Sequence, residues 1–119
     1  NVTIQHSPSV LLKSLEGSRL GVWIAHGEGK FDLPYAESEY AIALKYSYDV
    51  YPANPNGSRY ATAGIVSKDG RHLAMMPHLE RSLTPWNWAY YDEQRPEDEV
   101  SPWIEVFVNA RKWVEENRK

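Results

Sequence analysis

The sequence contains no cysteine, which excludes a disulfide framework, a thiolate metal site and a thiol nucleophile from all 119 residues. Methionine and phenylalanine are scarce, at two each. No apolar run approaches the roughly 20 residues that a membrane-spanning helix needs, so no membrane partner is expected. Basic residues are the minority, 13 against 16 acidic ones, for a net charge of −3. A phosphate-binding surface leaves a basic footprint, so no nucleic-acid partner is expected either. Asn1-Val2-Thr3-Ile4 has neither the basic nor the apolar region of a signal peptide, and no initiator methionine. That start points to a piece of a longer chain or to a processed one.

Hydrophobic residues make up 42% of the chain and charged residues 24%, a composition suited to one globular unit with one core. Aromatics are skewed to 5 Trp and 8 Tyr, which bury large area while keeping a polar end. That serves a core, an interface or a sugar-stacking surface equally.

Val2-Thr3-Ile4-Gln5 reads as a short strand. Ser7-Pro8 opens a short helix with Val10, Leu11, Leu12 and Leu15 on its apolar side, ended by Gly17. Residues 19–26 form a strand candidate with Leu20, Val22 and Ile24 on one face, and 30–33 a second. Residues 40–50 alternate enough for another strand. The run Tyr51-Pro52-Ala53-Asn54-Pro55-Asn56-Gly57-Ser58 is dense in turn formers and reads as loop. Residues 62–67, the turn Lys68-Asp69-Gly70 and residues 71–76 form the clearest hairpin. Ser101-Pro102 opens the best helix, over 101–117, with Trp103, Val106, Phe107, Ala110 and Val114 at helical spacing.

Two segments read His-x-Glu: His26-Gly27-Glu28 and His78-Leu79-Glu80. In extended backbone, residues i and i+2 project to one side. The glutamate can then accept the Nδ1–H, fix the tautomer and leave Nε2 as a base. Those are the last two members of a nucleophile–His–acid triad, whose nucleophile must come from elsewhere. The pattern is short enough to recur by chance as a surface pair. The same four residues, His26, Glu28, His78 and Glu80, also fit a 2-His–2-carboxylate metal site. The glycines around Glu28 and the Asn54–Ser58 turn allow close ligand approach, yet plain turns need them too. Trp86, Trp88 and Tyr90 read as packing more readily than as a carbohydrate platform. His6 and His72 lack an acidic residue at i+2 and read as structural. Met75-Met76 reads as adaptable core.

Five segments together resemble the phosphoribosylformylglycinamidine synthase (formylglycinamide ribonucleotide amidotransferase) family. They are Gln5-His6-Ser7-Pro8-Ser9, Ala25-His26-Gly27-Glu28-Gly29-Lys30, Tyr51 to Ser58, Met75-Met76-Pro77-His78-Leu79-Glu80-Arg81-Ser82, and the helix from Pro102-Trp103 to Ala110-Arg111-Lys112. They stand in the family's order along the whole chain. The resemblance implies that residues 1–119 are a single partial domain, the C-terminal portion of a class I glutamine amidotransferase domain. It implies an α/β fold, half of a three-layer architecture around a mixed, largely parallel sheet. Seen alone, that half is expected as a β-rich α+β piece with a C-terminal helix. A cut domain exposes a sheet edge, so self-association or pairing with the missing half is expected.

The resemblance also implies an activity. The family hydrolyses L-glutamine with a Cys–His–Glu triad and passes ammonia to an ATP-dependent synthetase site in the same enzyme, within cytoplasmic purine synthesis. The match places the base at His78 and the orienting acid at Glu80, with Leu79 where the family usually has proline. His26, Gly27, Glu28 and Gly29, with Asn54, Asn56, Gly57 and Ser58, fall near the glutamine pocket or the synthetase interface. No cofactor is expected in these residues, and ATP and magnesium belong to the synthetase part. Without the cysteine and its neighbouring oxyanion donors, these residues alone are expected to be inactive. The long single-chain form of the enzyme matches better than separate subunits.

Overall fold

The computed structural model describes residues 1–25, 27–87 and 100–118. Five strands form one sheet in the order β2-β1-β3-β4-β5: β1 (Val2–Ile4), β2 (Arg19–Leu20), β3 (Ile42–Tyr46), β4 (Thr62–Val66) and β5 (Leu73–Met75). Every pairing among them is antiparallel. One helix, α1 (Ile104–Asn117), follows. The expected β-rich piece with a closing helix is what is seen. The parallel strands of a larger three-layer sheet are not among the described pairings. No described helix is long and apolar enough to cross a membrane.

β3 is the central strand of the sheet, with Ile42, Ala43, Leu44 and Tyr46 all buried. Leu44 and Ala43, on opposite faces, are both fully buried. Val2 and Ile4 lie opposite Tyr46 and Leu44 in register, and all four belong to the core. The predicted hairpin forms as β4 and β5, with Gly64 opposite Met75 and Val66 opposite Leu73. At its turn, Asp69 accepts hydrogen bonds from the Ser67 hydroxyl at 2.5 Å and from the Arg71 N–H at 3.1 Å.

Two expected elements come out shorter and a third is absent, each because its peptide groups find other partners. The helix expected after Ser7-Pro8 is a single 3-10 turn, Lys13–Leu15. The Val10 N–H is taken by the Gly70 carbonyl at 2.9 Å, and Gly17 N–H returns to the Ile4 carbonyl at 2.8 Å. The strand expected over 19–26 stops at Leu20. Beyond it, the Gly21 carbonyl accepts from the Trp103 indole at 2.8 Å and the Trp23 carbonyl from the His78 N–H at 3.3 Å. No strand forms over 30–33 either. There side chains of the following loop satisfy the backbone, as described below.

α1 matches the expected span but not the expected face. Trp103 and Val106 are buried, whereas Phe107 and Val114 stand about half exposed. The buried position one turn on is Asn109, whose amide donates to the Leu11 carbonyl at 2.9 Å and the Ser14 hydroxyl at 2.8 Å. A polar docking pair thus sets the helix rotation, because the buried Asn109 amide would otherwise lack partners. Phe107, Val114, Tyr48, Val50 and Tyr51 leave apolar surface open.

Tyr46 supplies a pH test of this packing. Burial pushes its phenol up to about 12, because the phenolate is penalised away from water. A raised pKa means the folded state is favoured fully below the ordinary tyrosine range near ~10 and loses that advantage as pH climbs toward the folded value. Urea midpoints should therefore fall less between pH 9 and 12 in Tyr46→Phe than in the parent. Parallel decline of the two would contradict burial of this ring.

Candidate active site

His78 and Glu80 meet where the chain leaves β5. His78 has extended backbone, with φ −108° and ψ 94°, and Leu79–Ser82 then form one 3-10 turn. The ring Nδ1 lies 2.8 Å from Glu80 Oε1. Strand alternation was the expected cause of this meeting, and the structure corrects that. Only His78 is extended, and the tight turn turns Leu79 inward and Glu80 back toward the imidazole. Leu79 is buried in the core. It occupies the first helical position, where a proline's fixed φ would fit equally. The leucine therefore trades backbone rigidity for core packing, not an extended spacer for a prolyl one.

Glu80 in its ionised form can only accept, so Nδ1 must carry the proton of this bond and Nε2 is left as the basic nitrogen. Among the described residues Nε2 has no hydrogen-bond partner. The hydrogen bond from His78, followed by one from Glu80's own backbone N–H, holds the Glu80 carboxyl below the usual glutamate range. The orienting carboxylate thus stays ionised in mild acid and loses its role only as pH falls through that lowered value. Both side chains reach water, at 41% and 57% exposure, so a nucleophile and substrate can approach. The backbone beneath is anchored by the His78 N–H to Trp23, and the Trp23 indole in turn donates to the Asn87 carbonyl at 2.6 Å.

The second expected cluster is a strap. Asn56 donates its side-chain amide to the carbonyls of Gly27, at 2.6 Å, and Gly29, at 2.8 Å. The Ser58 hydroxyl accepts from the Phe31 N–H at 3.1 Å. Arg59 donates to the Leu33 carbonyl at 3.0 Å and the Tyr60 hydroxyl to the Tyr35 carbonyl at 2.6 Å. Residues 27–35 are thus held by side chains, not by a strand ladder. Asn54 and Ser58 are buried, and the bonds of Asn54 close the loop: it accepts from Ser58 N–H at 3.0 Å and donates to the Ser58 carbonyl and to Asp49, both at 2.9 Å. Gly57 has φ +71° and supports the turn. Tyr60 and Ala61 follow in left-handed conformation, with φ 57° and 54°, a strained pair that packing must maintain.

Among the described residues, no hydrogen bond or ion pair joins Glu28, Asn54, Asn56 or Ser58 to His78 or Glu80. His26 lies outside the described residues, as do Trp88 and Tyr90. Among the described residues, no three His, Cys, Asp or Glu side chains gather to hold a metal ion. One pairing escaped the i+2 spacing: His6 Nδ1 lies 3.0 Å from Glu16 Oε2, and Glu16 also accepts the Ser7 N–H at 3.2 Å. Only the return of the chain at Gly17 brings it there, so local sequence carries no signal for it. Its existence shows that a His–Glu bond by itself does not define a catalytic site.

Residues 1–114 match the family model of the CobB/CobQ-like glutamine amidotransferase domain, and the chain belongs to that family. Its relatives narrow the class further. It is 45% identical to the probable phosphoribosylformylglycinamidine synthase, chloroplastic/mitochondrial, of Arabidopsis thaliana, over 97% of this chain and 9% of that protein. It is 41% identical to the phosphoribosylformylglycinamidine synthase of Homo sapiens, over 96% and 9%, and 40% identical to that of Dictyostelium discoideum, over 97% and 10%. The chain therefore spans about a tenth of the length of the curated relatives it matches.

Proposed function

We propose that the chain is the C-terminal portion of a class I glutaminase domain in a phosphoribosylformylglycinamidine synthase, with His78 as the base and Glu80 as its orienting acid. The observation that carries this is the 2.8 Å Nδ1–Oε1 bond of a solvent-accessible His78, in a chain of the amidotransferase family. The nucleophile is a cysteine outside these residues, since the sequence has none. His78 Nε2 takes the thiol proton, and the thiolate adds to the side-chain carbonyl carbon of glutamine. As the C–N bond breaks, the imidazolium returns the proton to the leaving nitrogen, releasing ammonia and leaving a glutamyl thioester. Water, deprotonated by the same nitrogen, then frees glutamate and the thiol. Glu80 holds one tautomer throughout and stabilises the imidazolium.

The remaining partners follow from the same reading: L-glutamine, the rest of the glutaminase domain, and an ATP- and magnesium-dependent synthetase part of the same cytoplasmic enzyme that uses the ammonia to amidinate formylglycinamide ribonucleotide in purine synthesis. No step of glutamine hydrolysis draws on ATP or magnesium. Residues 1–119 alone are proposed to be inactive. The test compares nitrogen sources in the full-length enzyme. Glu80→Ala should abolish glutamine-dependent synthesis and leave ammonia-dependent synthesis largely intact, whereas equal loss of both would remove the glutaminase assignment.

A further inference from the structure

We propose that Ser101 is a positioning residue that sets the register between His78 and Glu80, an inference that rests on the glutaminase reading above. Ser101 is buried just before α1. Its hydroxyl donates to the Ser82 carbonyl, and its N–H to the Leu83 carbonyl at 2.7 Å. Ser82 is the last residue of the 3-10 turn that carries Glu80, so both bonds hold the exit of that turn. The turn is closed from within by the Arg81 N–H, which donates to the His78 carbonyl at 3.2 Å.

The same helix start also holds the His78 side. The Ser101 hydroxyl accepts the Trp103 N–H at 3.3 Å, and the buried Trp103 indole donates to the Gly21 carbonyl at 2.8 Å. Two residues on, the Trp23 carbonyl accepts the His78 N–H at 3.3 Å. One end of α1 is thereby bonded both to the segment beneath His78 and to the turn beneath Glu80. The two side chains are half exposed and meet through the Nδ1–Oε1 bond, so their alignment leans on the backbones below. Catalytic groups need placement to within about 0.5 Å, and a displacement of about 1 Å can cost ~10²-fold in rate. Ser101→Ala takes the hydroxyl donor from the carbonyl of a fully buried residue, and the turn must shift to find that carbonyl another partner. Glu80 moves with it. Because Glu80 stabilises the imidazolium formed during reaction, the loss falls on kcat and not on glutamine binding.

Steady-state kinetics of the full-length enzyme, with glutamine and with ammonia, decide the matter. Ser101→Ala should lower glutamine-dependent kcat by about tenfold, with KM for glutamine and the ammonia-dependent rate within about twofold of the parent. Ser101→Cys, which keeps a weak donor, should fall between Ser101→Ala and the parent. Asn109→Ala is the structural control, since it removes the bonds of the same helix to Leu11 and Ser14 and leaves those of Ser101 and Trp103 in place. It should lower the melting temperature while keeping glutamine-dependent kcat within about twofold. An unchanged kcat in Ser101→Ala, a loss confined to KM, or an equal loss of kcat in Asn109→Ala would overturn the proposal. If Ser101→Ala does not fold, which loss of the ammonia-dependent rate would reveal, Ser101→Cys carries the test, and parent kcat there overturns the proposal. Equal loss of both nitrogen sources in Glu80→Ala would instead strike the glutaminase reading itself, independently of Ser101.

Discussion

His78→Ala is expected to lower glutamine-dependent turnover of the full-length enzyme by about 10³-fold or more, equivalent to ~4 kcal/mol of lost transition-state stabilisation. The size follows from the number of proton transfers that pass through one nitrogen. Nε2 activates the thiol, protonates the departing ammonia and activates water for deacylation, so no step of the cycle is spared. The loss should not come from unfolding. His78 is 41% exposed, makes no side-chain cap to the following turn, and contributes to the fold through its backbone N–H. Its replacement should therefore change stability by no more than about 0.5 kcal/mol. The same exposure leaves room for a small base, so added imidazole should restore part of the glutamine-dependent rate. Turnover retained within about tenfold of the parent, with an unaltered melting temperature, would show that the base lies elsewhere.

The legible parts of the fold were those in which local pattern and tertiary demand agree. The hairpin from Thr62 to Met75 has alternation and a glycine-bearing turn, and both strands pair with immediate neighbours. The Tyr40 to Val50 reading contained β3, whose ends are set by neighbours the sequence does not name. The 19–26 strand reading beyond Leu20, over the described residues 21–25, and the 30–33 reading failed for one reason. Apolar alternation is present there, but the backbone groups are claimed by Trp103, His78, Ser58 and Arg59, which lie 26 or more residues away. Periodicity reports which residues prefer burial, and it is silent about which donor will reach a given carbonyl. The helix face went astray in the same way. Hydropathy favoured Phe107 and Val114, whereas the buried contact is made by Asn109 with carbonyl and hydroxyl partners near the start of the chain.

The site was legible to a different degree for each cluster. His78 and Glu80 were found by spacing and do touch, although through a 3-10 turn and not a strand. The Asn54–Ser58 run announced a turn. Its division of labour, with Asn54 and Ser58 closing the loop and Asn56 reaching across to Gly27 and Gly29, depends on side-chain directions that no local pattern encodes. His6–Glu16 marks the opposite limit, a pair ten residues apart created by the reversal at Gly17.

Gly70→Ala should cost about 3 kcal/mol or more of stability, the largest effect expected of any single methyl addition here. Gly70 has φ +74°, and a Cβ at that position would stand 1.9 Å from the Pro8 carbonyl oxygen and 2.8 Å from its carbon. Two independent costs therefore add. The left-handed backbone alone disfavours alanine by about 1–2 kcal/mol. The clash must also push apart two stretches of main chain, and neither gives easily. The Gly70 carbonyl holds the Val10 N–H at 2.9 Å, and Ser9, between Pro8 and Val10, is buried with its hydroxyl on the Leu12 N–H. Displacing Pro8 thus disturbs the hairpin tip and the turn that seats Leu12 and Leu15 in the core. Gly57→Ala is the internal control, because φ is +71° there and nothing lies within 4 Å of the added Cβ. It should show the backbone cost alone. Thermal melts should place Gly70→Ala roughly 10 °C or more below the parent and Gly57→Ala well above it. Equal shifts for the two would mean that Gly70 is selected for its dihedral angle and not for the approach of Pro8.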